Sequence, residues 1–189
     1  MATITPRTTE TLLDIATDVI RLLRQTNSTV GVAESLTAGG VMTALTSVPG
    51  ASAAFRGGIV SYATPLKQSL LGVSADLIAR EGVIHADVAS QMAAGAIKAT
   101  SYDGAEPTTW GIGTTGVAGP DLQDGKPAGT VYIGVAGPGG GVKGVLRAYG
   151  PFAFPGTRER VREATVLEAL ARLRAVLVEK TEGEGEGRK

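Results

Sequence analysis

Apolar residues along this chain switch repeatedly between a helical and a strand period, and that switching constrains the fold more than any single residue does. Residues 8–25 set Leu12, Leu13, Ala16, Val19, Ile20 and Leu23 on one helical stripe, with Thr8 or Thr9 as cap. Residues 29–33 read as a strand and 36–47 as a second helix stopped by Pro49. Residues 55–63 form another strand, in which Gly57 and Gly58 mark close packing or a bulge. Two short helical pieces, 66–71 and 75–81, lead into a longer helix at 87–100 with Val88, Met92 and Ala96 on one face. Strands at 109–114, 130–136 and 142–149 follow, and a last helix at 157–179 buries Val161, Ala164, Leu167, Leu170 and Leu177. Interleaved helices and strands predict an α/β class, here a single-domain, three-layer α/β/α sandwich. The turn GPGGG at 137–141 joins two adjacent strands as a hairpin, so the sheet is expected to be mixed. The domain is set at 1–180. Residues 181–189, TEGEGEGRK, contain no apolar side chain and are expected to be disordered.

Composition narrows the function. The 189 residues include 27 glycines and only 4% aromatics, which suits tight turns and close backbone approaches. Eighteen basic and 18 acidic residues cancel, so no surface for direct nucleic-acid binding or a polybasic membrane contact is indicated. The absence of cysteine excludes disulfides, thiol catalysis and cysteine-ligated zinc, and no metal-ligand cluster is visible. The opening MATITPRTTE has no apolar core of a signal peptide, and no run reaches transmembrane length. A cytoplasmic protein without a membrane association is the expectation.

The stretch 30–40, VGVAESLTAGG, is where a functional reading starts. Ser35 stands at a strand-to-helix junction, where its hydroxyl can face a cleft and the following helix can offer amides and positive dipole to an oxyanion. Two readings stay open for it: nucleophile, or helix N-cap. The 111–116 stretch, GIGTTG, matches the dinucleotide-binding glycine pattern, but a loop follows instead of a helix and no acid stands near residue 136. What remains is a glycine-rich loop whose amides and Thr114 or Thr115 hydroxyls could hold a phosphate or polar substrate, or an ordinary turn. The lone histidine, His85, precedes a helix and reads as a cap. Bases left for a serine are lysines, carboxylates or tyrosines. Lys67 follows a strand directly in YATPLK (62–67). To accept a proton at neutral pH its pKa must fall from about 10.4 to near 7, roughly 4 kcal/mol of desolvation or like-charge effect. Otherwise it is a solvated lysine.

The segments AESLTAGG (33–40), GGIVSYATPLK (57–67), LLGV (70–73), GTTGVAGPD (113–121), KPAGTVYIGVA (126–136) and GTRERVR (156–162) together resemble the CinA C-terminal domain family. The resemblance runs in order from about residue 10 to 178. It implies a three-layer α/β/α sandwich with a mixed sheet, a stand-alone form without the additional N-terminal domain, and a frequent homo-oligomer. Members with assigned activity deamidate nicotinamide mononucleotide (NMN), and no cofactor is implied. Position by position, the resemblance puts Ser35 on the nucleophile, Lys67 on its base and Tyr62 on a tyrosine beside that pair. It puts Thr37, Gly39, Thr115, Gly116 and Arg158 at the substrate, with Arg158 opening the last helix. The chain departs from the family at Ala38, where a glycine is usual. It also departs at Ala63-Thr64, where Ser-Asn is usual, and His85 stands where serine often does.

The implied mechanism has Ser35 attack the carboxamide carbon while neutral Lys67 takes its proton. Amides after Ser35 hold the oxyanion, and Tyr62 donates a hydrogen bond to the lysine or the substrate. Arg158 pairs with the 5′-phosphate. Glu34 points away from the nucleophile and is structural. Two rival readings stay open: a serine–lysine hydrolase of another small amide, and a non-catalytic competence- or damage-associated binding module.

Overall fold

A computed structural model describes residues 10–138 and 144–186. Helix α1 (Leu12–Gln25) opens on a capping box: Thr11 Oγ1 accepts the Asp14 amide at 3.2 Å, and Asp14 takes the Thr11 amide at 2.8 Å. The cap is therefore Thr11, the threonine with an acid three residues on. The expected Thr8 and Thr9 lie outside the described residues. Strand β1 (Val30–Glu34) and helix α2 (Gly40–Thr46) follow, then β2 (Phe55–Val60), α3 (Thr64–Leu71), α4 (Ala75–Glu81) and α5 (Ala86–Thr100). Strands β3 (Trp110–Gly116), β4 (Thr130–Gly137) and β5 (Val145–Ala153) precede the closing helix α6 (Arg158–Glu186).

The sheet order is β2-β1-β3-β4-β5. Strand β1 runs parallel to both β2 and β3, whereas β3, β4 and β5 are antiparallel in turn. The sheet is mixed, and β4 and β5 form the expected hairpin; part of its turn lies outside the described residues. The β1–β2 register shifts between Val30 and Gly31, the bulge signalled by the paired glycines opposite. Pro151 is tolerated in β5 because that strand is an edge.

Strand alternation gives the two sheet faces different partners. Val30, Val32, Ile112, Val131, Ile133 and Val135 pack with Ile15, Val19 and Leu23 of α1, Leu45 of α2, and Leu170 and Leu173 of α6 in one large apolar core. The opposite face is lined by Gly31, Gly111, Gly113 and Gly134, and α5 lies directly on it. A Cβ at Gly111, Gly113 or Gly134 would overlap a backbone carbonyl of Ala93 or Ala89. This corrects the reading of 111–116: the segment is the fully buried strand β3, not a ligand-holding loop, and its glycines admit a helix. Leu71, Val73, Leu77, Val88 and Met92 complete the second, smaller core beneath α3 and α4. Three layers result, as the element order requires.

Helix α6 overturns one boundary. It continues through Glu186, past the expected end at residue 179 and into the segment expected to be disordered. Once its first turns are packed, each added residue gains one backbone hydrogen bond without a new nucleation cost. The Thr181 hydroxyl accordingly donates to the Val178 carbonyl at 2.8 Å. Residues 187–189 lie outside the described residues.

Candidate active site

Parallel strands β1 and β2 end side by side, and the catalytic candidates gather at that rim. The Ser35 amide, one residue past β1, donates to the Thr114 carbonyl of β3 at 3.2 Å, and the Ser61 amide past β2 donates to the Glu34 carbonyl at 2.9 Å. Helix α3 starts at once, at Thr64 rather than Leu66, with Pro65 in its first turn where its missing N–H costs nothing. That early start swings Lys67 back toward β1. Lys67 Nζ donates to Ser35 Oγ at 3.0 Å, to the Ser61 carbonyl at 2.6 Å and to the Tyr62 carbonyl at 3.2 Å.

The lysine is 1% exposed, and burial pushes its amine down from 10.5 to about 8. Its three acceptors match the three hydrogens of the ammonium form. In the neutral form the two carbonyls, which can only accept, retain two N–H bonds. The lone pair then faces the one partner with a proton to give, the Ser35 hydroxyl. Burial favours the neutral amine, and the geometry then leaves its lone pair to the Ser35 proton.

Ser35 is not a helix cap. Helix α2 begins at Gly40, later than expected, and its N-cap is Gly39 at φ 96°, with no side-chain cap bond. Ala38 also takes a left-handed conformation, φ 50°. The cause is Glu34, fully buried, whose carboxylate takes the amides of Gly39 at 2.9 Å, Val41 at 3.2 Å and Met42 at 2.9 Å. Glu34 is structural, as its strand position implies, and it consumes the α2 amides that sequence reasoning offered to an oxyanion. Among the described residues, the amides of Leu36 and Thr37 donate to none, and Leu36 lines the cavity beside Ser35.

That cavity, about 300 Å³, is bounded by Ser35, Tyr62, Lys67, Gly116, Asp121 and Arg158, among others. Of the expected substrate-binding set it brings in Gly116 and Arg158. Thr115 is fully buried and donates to the Val83 carbonyl at 2.6 Å, so its side chain ties β3 to the loop before α5. Thr37 shares a 2.8 Å hydrogen bond with Thr114 on the far side of the 36–39 turn, where Gly39 serves Glu34. Thr37 and Gly39 border a separate cavity with Arg162 and Val166. Tyr62 lines the cavity, but its hydroxyl does not make the lysine bond offered for it. Its hydroxyl accepts from Arg158 Nη2 at 2.8 Å, and only its backbone carbonyl meets Lys67. Arg158 Nη1 donates to the Gly119 carbonyl at 2.9 Å, so this residue bridges two lips of the cavity. His85 caps α5, its Nδ1 accepting the Asp87 amide at 3.2 Å.

Sequence reasoning missed the Ser61 carbonyl, Asp121 and Gln123. A carbonyl has no side-chain signature. Asp121 and Gln123 sit in a loop whose path is set by the Asp124 carboxylate on the Val83 amide at 2.8 Å, a contact 41 residues apart.

Fold and site together define an α/β/α sandwich with a half-buried serine paired to a buried lysine at its parallel strand ends. The family model described as CinA C-terminal domain matches residues 12–177, and the chain belongs to that family. A CinA-like protein of Frankia casuarinae is 50% identical over 159 residues, 84% of this chain and 34% of that protein. One from a Synechococcus species is 44% identical over 168 residues, covering 88% and 38%. The chain thus spans about a third of the length of these curated relatives. Among solved structures, a competence-damaged protein (CinA) superfamily protein from Klebsiella pneumoniae superposes with TM-score 0.78 at 26% identity, covering 90% of this chain and 99% of that one. A competence/damage inducible protein from Agrobacterium tumefaciens gives 0.77 at 27%, covering 92% and 98%. The mixed-sheet α/β architecture is the one those proteins share.

Proposed function

We propose that this domain is an amidohydrolase converting NMN and water to nicotinic acid mononucleotide and ammonia. The observation that carries the reading is the 3.0 Å contact between Lys67 Nζ and Ser35 Oγ, with Nζ otherwise held by backbone carbonyls in a buried setting. An amine near pKa 8 is roughly a tenth neutral at pH 7, enough for a general base. Lys67 takes the Ser35 proton as Oγ bonds to the carboxamide carbon. The oxyanion develops toward the Leu36 amide, one of the two that bond to no described residue. Lys67 returns its proton to the departing nitrogen, ammonia leaves, and the acyl-serine remains. Water then attacks the acyl carbon, giving a proton to Lys67, which restores the Ser35 hydroxyl as the acid departs. At the cavity lip Arg158 exchanges the Tyr62 hydroxyl and Gly119 carbonyl for the 5′-phosphate, a charge-assisted and bidentate partner.

The test is ammonia release from NMN by the purified chain, with Ser35→Ala as control. Release that depends on Ser35 supports the reading; no release from NMN sinks it. Thr64 lines the cavity at the position where the chain departs from the family, and this keeps another small amide in view. A panel of carboxamides measured beside NMN decides between them. Lys67→Arg tests the base separately, because a guanidinium cannot deprotonate near neutrality.

A further inference from the structure

Two carboxylates next to cavity-lining residues, Glu34 and Asp124, are committed to backbone amides. Glu34 takes those of Gly39, Val41 and Met42, and Asp124 takes that of Val83. Asp121 is different. It lines the cavity, and no hydrogen bond or ion pair joins it to any described residue. Among the residues bounding the cavity, Lys67 and Arg158 are the bases and Asp121 is the acid. Its loop is anchored by the Asp124 carboxylate on the Val83 amide, a contact that remains when Arg158 exchanges the Gly119 carbonyl for a phosphate. Asp121 is exposed at the cavity mouth, and its carboxylate is not neutralised by any described residue.

From this we infer that Asp121 is a specificity determinant that selects ligands carrying a cationic ring, pairing with the ring charge while Arg158 takes the anionic group. The inference rests on the nucleotide reading above and adds to it which form of the ring is chosen. An N-ribosyl pyridinium phosphate is positive at the ring and negative at the phosphate, and so meets both rim charges with the right sign. The dihydropyridine form keeps the ribose and phosphate but has a neutral ring, and it gains nothing from Asp121. A concave, partly apolar wall concentrates such fields and makes the discrimination larger than on open surface.

The experiment compares NMN with reduced NMN, the dihydropyridine, by calorimetric binding in the Ser35→Ala background, with and without Asp121→Asn. Asp121→Asn should weaken NMN binding about 3- to 5-fold, the range of a partly exposed charge pair, and leave reduced NMN unchanged. Asp121→Glu should restore most of the preference, and raised salt should erode it. Equal weakening of both ligands would assign Asp121 to the ribose or to loop shape and overturn the inference. So would no change in either. If the parent protein binds neither ligand, the nucleotide reading falls and takes this inference with it. If Ser35→Ala binds NMN and the wild-type chain releases ammonia while Asp121→Asn changes nothing, the inference falls alone.

Discussion

On one wall of the cavity Lys67 is 1% exposed and held by three acceptors; on the opposite lip Tyr62 is 56% and Leu122 70% exposed. The buried wall comes from the ends of β1 and β2 and the first turn of α3, elements locked together by the sheet. The exposed lip comes from the Tyr62 side chain, the loop after β3 and the first residue of α6, joined by the side-chain bonds of Arg158. Proton transfer needs an amine stripped of water, which only the first wall supplies. Recognition of a charged ligand needs groups that can exchange partners as it arrives, which only the second supplies. Changes on the two walls should therefore separate in kinetics, kcat for one and KM for the other.

The largest effect is expected on the buried wall. Ser35→Ala and Lys67→Ala should each lower kcat for NMN by about 10³-fold or more with little change in KM, and the double variant should be scarcely worse. Because Gly39 and not Ser35 caps α2, Ser35→Ala should leave the melting temperature nearly unchanged. A variant that lost stability and kept turnover would break the comparison.

Titration sharpens the same wall. With the neutral amine as the proposed base, kcat/KM should rise with pH through about 8. The folded pKa lies below the unfolded value of 10.5, so the unfolded chain binds more protons between the two. Stability should rise with pH from about 8 to 10.5, by about 3 kcal/mol at 1.36 kcal/mol per pH unit. Lys67→Met should abolish that rise and be the more stable protein below pH 8. Denaturant midpoints at several pH values measure it, and a flat wild-type profile would contradict the desolvated lysine.

The exposed lip should respond in KM. Arg158→Ala should raise KM for NMN about tenfold, the scale of a hydrogen bond to a charged group, with kcat within a few-fold. The riboside lacking phosphate should be unaffected. Equal losses on both substrates would remove Arg158 from phosphate recognition. The smallest effect is expected far from both walls. Deleting residues 181–189 removes the end of α6 while keeping Lys180, which lies over the Trp110 ring. Activity should be unchanged and the melting temperature should fall by no more than about 1–2 °C.

Much of this architecture is local information. Periodicity placed the α-helices and strands in order, with most boundaries within a few residues, since a 3.6 or 2.0 repeat is written in neighbouring side chains. Boundaries moved where a side chain acted at a distance along the chain: Glu34 delays α2 by claiming amides five to eight residues on, and α6 outlasts its apolar stripe. The candidates Ser35 and Lys67 were legible because Ser35 directly follows one strand and the segment ending in Lys67 follows another, and parallel strands finish at one rim. Which threonine faces the cavity was not legible. Thr115 turns to the Val83 carbonyl and Thr37 to Thr114, pairings 32 and 77 residues apart that no spacing encodes. The glycines of 111–116 looked like a ligand loop until α5 was seen lying on them. By itself, then, the amino-acid order determined the elements, their order and the residues able to do the chemistry. Tertiary structure alone decided which polar groups were already satisfied and which faced the cavity. It also decided how far Lys67 lost its water, because burial and hydrogen-bond partnership belong to the assembled chain.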